Sequence, residues 1–346
     1  MKKVLLGMSG GVDSSVAAII LQQQGYEVIG CTMQLWKPEE IEEKDSINDA
    51  KKVCEKLGIE HYTIDYKKEF KCKVVDTFIK EYENTRTPNP CVECNKHLKF
   101  GLLYQKAKEL GCEYIATGHY AKTEYSEKYK QYVLKKSDEE QKDQTYFLYT
   151  IPKHEIEHII FPLQNLKEKS DTRKIAEENR LEIAEKKDSQ EICFIPNDDY
   201  KNFLNKYIET KEGNIVLRSG EILGKHNGIT NYTIGQRKGL GIAYKEPLYV
   251  LDLNKEKNEV IVGKEEELYS SELYANELNW LIFDKLEEPI ECYAKIRYRA
   301  KPAKATVIPE GEKVKVEFAE PQRAITKGQS VVFYIDDVLI GGGKII

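Results

Sequence analysis

The sequence predicts an α/β protein in which a doubly wound parallel sheet is followed by a small central β-rich unit and a C-terminal β-barrel. Three observations carry this reading. Strand and helix patterns alternate through the first half, which calls for parallel strands with helices on both faces. After about residue 200 the apolar segments become short, alternating and turn-rich, the pattern of small sheets and barrels. A length of 346 residues suggests two or three domains, at roughly 100–200 residues each. We set the units at 1–204, 205–271 and 272–346.

The elements follow in order. Val4–Met8 is an apolar run that stops at a Gly/Ser turn, and Ser15–Gln24 is helix-patterned with Gly25 as its stop. Glu27–Met33 reads as a second strand, Asp45–Leu57 as a helix closed by Gly58, and Glu60–Ile64 as a third strand. Lys67–Glu83 and Asn95–Leu110 are amphipathic helices, and Tyr114–Thr117 is a buried strand before Gly118. The second half offers Tyr249–Leu253, Glu259–Val262, Glu291–Arg299, Lys313–Phe318, Ser330–Ile335 and Val338–Ile340 as strands. Asp336-Asp337 sits between the last two as a hairpin turn would. The polar, Lys/Glu-rich stretch 121–142 reads as a mobile connection.

Composition excludes several classes. The chain is 40% hydrophobic and 32% charged, enough apolar mass for real cores. With 53 Lys plus Arg against 58 Asp plus Glu, the net charge of −5 argues against a uniformly basic nucleic-acid binder. The longest apolar runs, such as Val16–Leu21, fall far short of a membrane span of about 20 residues. Gly10-Gly11 and Asp13 interrupt the N-terminus before a signal-peptide core forms, so a cytoplasmic protein is expected. In such a compartment the eight cysteines are thiols, metal ligands or catalysts rather than disulfides.

Leu6-Gly7-Met8-Ser9-Gly10-Gly11-Val12-Asp13-Ser14-Ser15 joins the first strand to the first helix. Backbone N–H groups at a helix N-terminus bind anionic phosphate, and Gly10 and Gly11 permit close approach. The string lacks the Gly-Lys-Ser/Thr of a Walker loop and the GxGxxG of a dinucleotide fold. It resembles instead the PP-loop of ATP pyrophosphatases, of the adenine nucleotide alpha hydrolase-like class, which split ATP between the α and β phosphates. Met33 ends the second strand, where it reads either as an adenine contact or as an ordinary core methionine. Gly118 and His119 follow a buried strand, where glycine lets a nucleotide approach.

Cysteine supplies the second signal. Thr87-Pro88-Asn89-Pro90-Cys91-Val92-Glu93-Cys94-Asn95-Lys96 joins a proline-stiffened loop to a helix start, with Asn95 as cap. A cysteine near a helix N-terminus has a lowered pKa, and Lys96 and Lys99 add to this. Cys193 lies in a similar loop, Asp188–Pro196. Cysteines 31, 54, 72, 112 and 292 read as buried small hydrophobes. For Cys91, Cys94 and Cys193 three readings stay open: zinc ligands with His97 as a fourth, sulfur-carrying thiols, or ligands of an iron–sulfur cluster with one iron open.

Taken with Glu191–Pro196, Thr117–Tyr120, Lys142–Leu148 and Tyr232–Gly241, these strings resemble the bacterial tRNA-specific 2-thiouridylase family, in the family's order and across nearly the whole chain. The resemblance implies a tRNA-uridine 2-sulfurtransferase that adenylates the C2 oxygen of the wobble uridine with ATP and Mg2+. It assigns Cys94 as nucleophile and Cys193 as persulfide carrier, with Asp13 in the catalytic set. It gives Gly7, Met8, Ser9, Gly10, Gly11, Val12, Asp13, Ser14, Met33 and Gly118 to ATP, and Asn89, Pro90 and Cys91 to the target base. His119, Lys142, Asp143, Gln144, Arg297, Tyr298 and Gln329 match tRNA-contacting positions. The implied partners are the tRNA anticodon stem-loop and a cysteine desulfurase or sulfur-relay protein, with no membrane. Many members carry aspartate where this chain has Cys91, and the resulting CxxC keeps a [4Fe-4S] cluster on Cys91, Cys94 and Cys193 as an alternative sulfur carrier.

Local charge agrees with an RNA substrate. Ile222–Lys245 holds Lys225, Arg237, Lys238 and Lys245 without an acidic residue. Lys295, Arg297, Arg299 and Lys301 alternate, as one face of a strand would. Two other functions compete: a PP-loop ligase that amidates a small metabolite, and a non-catalytic nucleotide- or RNA-binding module. The ligase has no need of the β-rich half, and the module leaves Asp13 and three loop cysteines without a purpose.

Overall fold

Alternate residues of β1 (Lys3–Gly7) serve two different layers. Val4 and Leu6 enter one apolar core, while Leu5 enters the other, as the two-residue period of a strand requires. The computed structural model describes residues 1–41, 46–166, 169–185 and 192–346. The chain continues through α1 (Val12–Gln23), β2 (Glu27–Gln34), α2 (Ser46–Leu57) and β3 (Glu60–Asp65). Next come α3 (Lys67–Phe70), α4 (Asp76–Glu83), α5 (Pro90–Cys94) and α6 (Leu103–Glu109). β4 (Tyr114–Thr117) and, further on, the two-residue β7 (Ile159–Ile160) complete a five-stranded sheet. Its order is β3-β2-β1-β4-β7, and every pair is parallel. The strand order reverses between β1 and β4, the crevice where ligands of such sheets bind.

The helices run longer than the sequence pattern indicated. A π turn, Lys71–Val75, joins α3 to α4, and a second, Asn95–Leu102, joins α5 to α6. Asn89, not Asn95, caps the cysteine helix: its side chain accepts the Cys91 N–H at 3.1 Å, with Pro90 at the first position. Proline is at home there because the first helical N–H has no partner to lose. Asn95 is buried inside the helix and donates to the Phe147 carbonyl at 3.1 Å.

Between β4 and β7 the stretch expected to be mobile folds as a hairpin, β5 (Lys122–Ser126) with β6 (Gln131–Lys135). α7 (Lys169–Glu178) and α8 (Tyr200–Asn205) then lead to a four-stranded sheet. It comprises β8 (Gly213–Leu217), β9 (Ile222–His226), β10 (Tyr249–Asn254) and β11 (Glu259–Gly263) in the order β10-β11-β8-β9.

Six strands close the C-terminal barrel: β12 (Tyr269–Trp280), β13 (Ile290–Lys295), β14 (Ala303–Glu310), β15 (Lys313–Arg323), β16 (Ser330–Ile335) and β17 (Val338–Ile345). They run β12-β15-β14-β13-β16-β17, and β17 pairs back onto β12. Asp336 takes φ +55° in the predicted turn between β16 and β17. The β5–β6 hairpin extends this sheet, with Lys135 and Leu134 opposite Val338 and Leu339. β5 is polar and has no buried residue, but β6 buries two adjacent residues, Val133 in the barrel core and Leu134 in a core of the parallel-sheet unit. The predicted strand Glu291–Arg299 stops at Lys295, and a turn follows in which the Ala300 N–H bonds the Arg297 carbonyl at 3.1 Å. The alternating basic stripe therefore does not lie on one strand face. Among the described residues no helix is long and apolar enough to cross a membrane.

Candidate active site

The Gly7–Ser14 loop leaves β1 at the carboxyl edge of the sheet. Gly10 turns it at φ +70°, where a Cβ would overlap the Ser46 carbonyl. Ser14 Oγ lies 3.2 Å from both the Ser9 N–H nitrogen and Ser9 Oγ, and it donates to the Gly11 carbonyl at 3.1 Å. These bonds wrap the chain around the N-terminus of α1, where N–H groups and the helix dipole favour an anion. Asp13 stands in the first turn of α1. Its carboxylate accepts the Tyr120 hydroxyl at 3.1 Å, and that oxygen is also 2.8 Å from Thr172 Oγ1 and 3.4 Å from Lys142 Nζ. Lys142 lies 4.5 Å over the Tyr120 ring, so this predicted tRNA contact stands beside the loop. Tyr120 and Thr172 were not predicted. Tyr120 was visible as part of the Gly-His-Tyr string, whereas Thr172 carried no signal.

Gly118 presses on the loop from β4. A Cβ there would meet the Ser14 nitrogen at 2.9 Å and the Asp13 carbonyl carbon at 3.0 Å. His119 is buried, with Nδ1 2.7 Å from Thr117 Oγ1 and Nε2 3.3 Å from Lys99 Nζ. An ammonium only donates, so Nε2 accepts and Nδ1 carries the proton. Burial first, and Lys99 second, hold this histidine well below its ordinary pKa. Half-buried Met33 borders two apolar clusters at the end of β2.

Cys91 and Cys94 are three apart at the two ends of α5 and so share one helix side. Cys193 is delivered by its neighbour. Phe194 is buried with its ring centroid 5.8 Å from Phe70, 5.4 Å from Phe78 and 5.5 Å from Phe203, in a cluster that Cys94 borders. Residues 186–191, which include the first four of the predicted Asp188–Pro196 loop, lie outside the described residues. Cys193 is within electrostatic range of both Cys94 and Cys91. Cys91 and Cys193 reach solvent, yet protein surrounds their sulfurs on most sides, as in a cleft.

That surround reverses the expected acidity. Burial pushes Cys94 up to about 11 and Cys193 up to about 12, and Cys91 moves the same way. The expectation of a lowered pKa failed because Cys94 ends α5 instead of starting it, and desolvation outweighs the Lys99 charge. Lys96 is exposed, on the side of Glu93 and Asn89. All eight cysteines are free thiols. Cys31, Cys54, Cys112 and Cys292 are buried as expected, but Cys72 is exposed on the π turn after α3.

A metal or cluster finds no ready donor set. Among the described residues no three His, Cys, Asp or Glu side chains converge as ligands. His97, the candidate fourth ligand, pairs with Glu93 at 3.3 Å. The trio as placed does not fit a [4Fe-4S] cluster or a zinc ion.

The remaining predicted residues are spent on holding units together. Buried Asp143 accepts the Thr145 hydroxyl at 2.7 Å and the Ser137 N–H at 3.2 Å. Gln144 accepts the Tyr120 N–H at 3.0 Å. Arg297 donates to the Ala324 carbonyl at 2.9 Å, the Ile234 carbonyl at 3.3 Å and Thr326 Oγ1 at 2.6 Å, tying the central unit to the barrel. Tyr298 packs on Phe147 at 4.5 Å between centroids, and its hydroxyl feels Cys91. Gln329 donates to the Thr87 carbonyl at 2.8 Å, so the barrel grips the strap that enters the cysteine helix. Of the basic residues in the two predicted clusters, Lys225, Arg237, Lys238 and Lys245 in the central unit and Arg299 and Lys301 after β13 are exposed, whereas Lys295 and Arg297 are half-buried.

Three family models match this chain: the tRNA methyl transferase HUP domain over residues 2–197, the tRNA methyl transferase PRC-barrel domain over 201–264, and the aminomethyltransferase beta-barrel domain over 270–345. A tRNA-specific 2-thiouridylase MnmA from Clostridium botulinum (strain Alaska E43 / Type E3) is 53% identical, covering 99% of this chain and 98% of that protein. The chain belongs to the tRNA-specific 2-thiouridylase family. The member from Clostridioides difficile (strain 630) is 49% identical over 99% of this chain and 98% of its own length. The model descriptions speak of methyl transfer, but full-length identity to 2-thiouridylases decides the family. Among solved structures, the U34-tRNA thiolase NcsA from Methanococcus maripaludis with its [4Fe-4S] cluster covers 59% of this chain and 63% of its own, at 20% identity and a TM-score of 0.36. A likeness that low decides nothing about the site.

Proposed function

We propose that this chain installs sulfur at C2 of the wobble uridine of tRNA at the expense of ATP. The observation that supports it best is the meeting, at one edge of a parallel sheet, of a phosphate-binding loop and two cysteine segments on separate elements, in a chain belonging to the 2-thiouridylase family. Gly7–Ser14, Met33 and Gly118 hold ATP. A carboxylate with phosphate oxygens suits Mg2+, and Asp13, oriented by Tyr120, would hold that ion, which offsets the charge of the departing pyrophosphate. Asn89, Pro90 and Cys91 meet the target base, which leaves the single-stranded anticodon loop at little cost.

The C2 oxygen takes AMP from ATP and releases pyrophosphate. A cysteine desulfurase or relay protein leaves a persulfide on Cys193. The Cys94 thiolate attacks the Cys193 Sγ, breaks its sulfur–sulfur bond, and releases hydrosulfide with formation of a Cys94–Cys193 disulfide. Hydrosulfide adds to C2, AMP departs with the bonding pair, and loss of the proton leaves C2=S. A dithiol reductant then restores both thiols. The setting is the cytoplasm, and the division of labour follows units 1–204, 205–271 and 272–346. Arg237, Lys238, Lys245, Arg299 and Lys301 supply the phosphate contacts.

Protein, ATP-Mg, a sulfur source and unmodified tRNA should give 2-thiouridine by nucleoside mass analysis, and neither Cys94→Ala nor Cys193→Ala should. Product from both variants sinks the mechanism. ATP consumption with a small amine acceptor instead supports a ligase. Anaerobically purified active protein should be iron-free; absorption near ~400 nm with bound iron and sulfide would replace the persulfide with a cluster.

A further inference from the structure

The strap 84–89 between α4 and α5 is held at three points. At its upstream end the Thr85 N–H bonds the Tyr82 carbonyl and the Arg86 N–H bonds the Glu81 carbonyl, both at 2.9 Å, with Thr85 at φ +57°. Glycine usually supplies this paired-bond ending of a helix. A β-branched residue there is strained and persists only where its surroundings impose the conformation. At the downstream end Asn89 caps α5.

The barrel holds the middle. The Thr87 N–H donates to the Lys327 carbonyl at 2.9 Å, and the Gln329 side chain donates to the Thr87 carbonyl at 2.8 Å. Residues 326–329 form a turn closed by the Gln329 N–H on the Thr326 carbonyl at 3.2 Å. Gly328 takes φ +88° in its third position, where a type II turn calls for glycine. The turn is itself pinned to β17: the Gly328 N–H bonds the Ile345 carbonyl and the Ile345 N–H bonds the Gln329 carbonyl, both at 2.9 Å. Beside it the Lys344 ammonium of β17 pairs with Glu81 of α4 at 3.1 Å, both side chains largely buried. Gly328 lies flat on the strap, since a Cβ there would stand 2.9 Å from the Arg86 Cβ and 3.0 Å from the Thr87 nitrogen. A cavity of about 20 Å³ lies among Pro88, Asn89, Val92, Gly328, Ser330 and Lys344, so hydrogen bonds rather than close apolar packing fix the strap.

We infer that this barrel turn is a built part of the target-base site, with Gly328 as its positioning residue: it sets the place and direction in which the strap presents Asn89, Pro90 and Cys91 to the uridine. This rests on the thiolation, and on the target-base role of those three residues, proposed above. Asn89 accepts the Cys91 N–H, so the three residues move with the strap as one piece. A displacement of about 1 Å at the strap is carried to the base, where it costs about a hundredfold in rate.

The test compares the full chain with Gly328→Ala and with Gly311→Ala. Gly311 is another positive-φ glycine of the barrel, and its added methyl would touch nothing, so that variant carries the backbone strain without the contact. Amide hydrogen exchange, read by mass on peptides without ATP or tRNA, should quicken about tenfold over 84–89 in Gly328→Ala, the worth of about one hydrogen bond. Peptides of the Gly7–Ser14 loop should not change, and Gly311→Ala should match the parent chain in both regions. With ATP-Mg, a sulfur source and unmodified tRNA, Gly328→Ala should lose about a hundredfold in kcat while its KM for ATP stays that of the parent. Unchanged exchange over 84–89 overturns the inference, as does quickened exchange with full turnover. Quickened exchange in the Gly7–Ser14 loop as well, with a raised KM for ATP, overturns it too, because the fold has then loosened generally. A parent chain that makes no 2-thiouridine refutes the proposed function instead, and the exchange comparison still decides whether the turn holds the strap. Should Gly328→Ala fail to fold, Gln329→Leu removes one of the two strap bonds without adding bulk, and its exchange over 84–89 is read in the same way.

Discussion

A methyl group at position 118 would stand 2.9 Å from the Ser14 nitrogen and 3.0 Å from the Asp13 carbonyl carbon. Both belong to the first turn of α1, so the strand end and the loop must separate by a few tenths of an ångström. Gly118→Ala is expected to cost only about 1–3 kcal/mol of stability, yet to slow ATP-dependent thiolation about a hundredfold through misplacement. Urea unfolding and a thiolation assay read the two effects, and full activity would mean that β4 and the loop are not tightly coupled. Residue chemistry of this kind was legible where it is local. Gly7–Ser14 and Cys91–Cys94 announce themselves by composition and spacing. The bond from Tyr120 to Asp13 crosses 107 positions, and no local pattern encodes such a distance. Cys72 misled because a helical context predicts a buried side only when the phase is known, and the π turn shifts that phase.

At the scale of elements, the segment after β13 is the instructive case. Lys295, Arg297, Arg299 and Lys301 alternate as a strand face would, but the strand ends at Lys295. Turning inward gives the Arg297 guanidinium two carbonyls and a hydroxyl, more than an exposed strand position offers. Arg297→Met should therefore destabilise the protein by about 2–3 kcal/mol, since it strands buried acceptors. Urea midpoints check this, and a change within about 0.5 kcal/mol would return Arg297 to the role of a surface cation. The cysteine helix shows the reverse. Its amphipathic pattern was plain, but its start was hidden because a Pro-Asn-Pro string reads as loop until Asn89 is recognised as a cap with Pro90 behind it. β12 escaped notice because its twelve residues mix polar and apolar side chains while pairing with β15 and β17 at different points.

For the molecule as a whole, a net charge of −5 proved uninformative about RNA, because a sum over the chain hides where each charge stands: exposed lysines are spread over every unit, Lys51, Lys52 and Lys68 as well as Lys238 and Lys301. Its histidines say more about behaviour with pH. His61, His119 and His226 are each kept neutral by burial, with pKa values pushed down. In the unfolded chain they take up protons near pH ~6.5, so the unfolded state binds more protons and stability falls as pH drops below that value toward the folded pKa values. Asp143 and Glu155, raised by burial, act in the opposite sense in a lower window. Urea midpoints should fall steadily from about pH 7.5 to 5.5, and a flat profile would mean that these rings are solvated. Fold class was readable because strand–helix alternation is a property of long stretches. The β5–β6 hairpin was not, since its polar exposed side resembles a loop and its partner strand lies at the other end of the chain. That separation has a consequence for synthesis. Leu134 waits for Leu339, and at ribosomal rates of about 5–20 residues per second the gap of about 200 residues lasts roughly 10–40 s. Throughout that interval the nascent hairpin presents an unpaired edge, so the newborn chain, more than the finished enzyme, is the form that needs protection from aggregation.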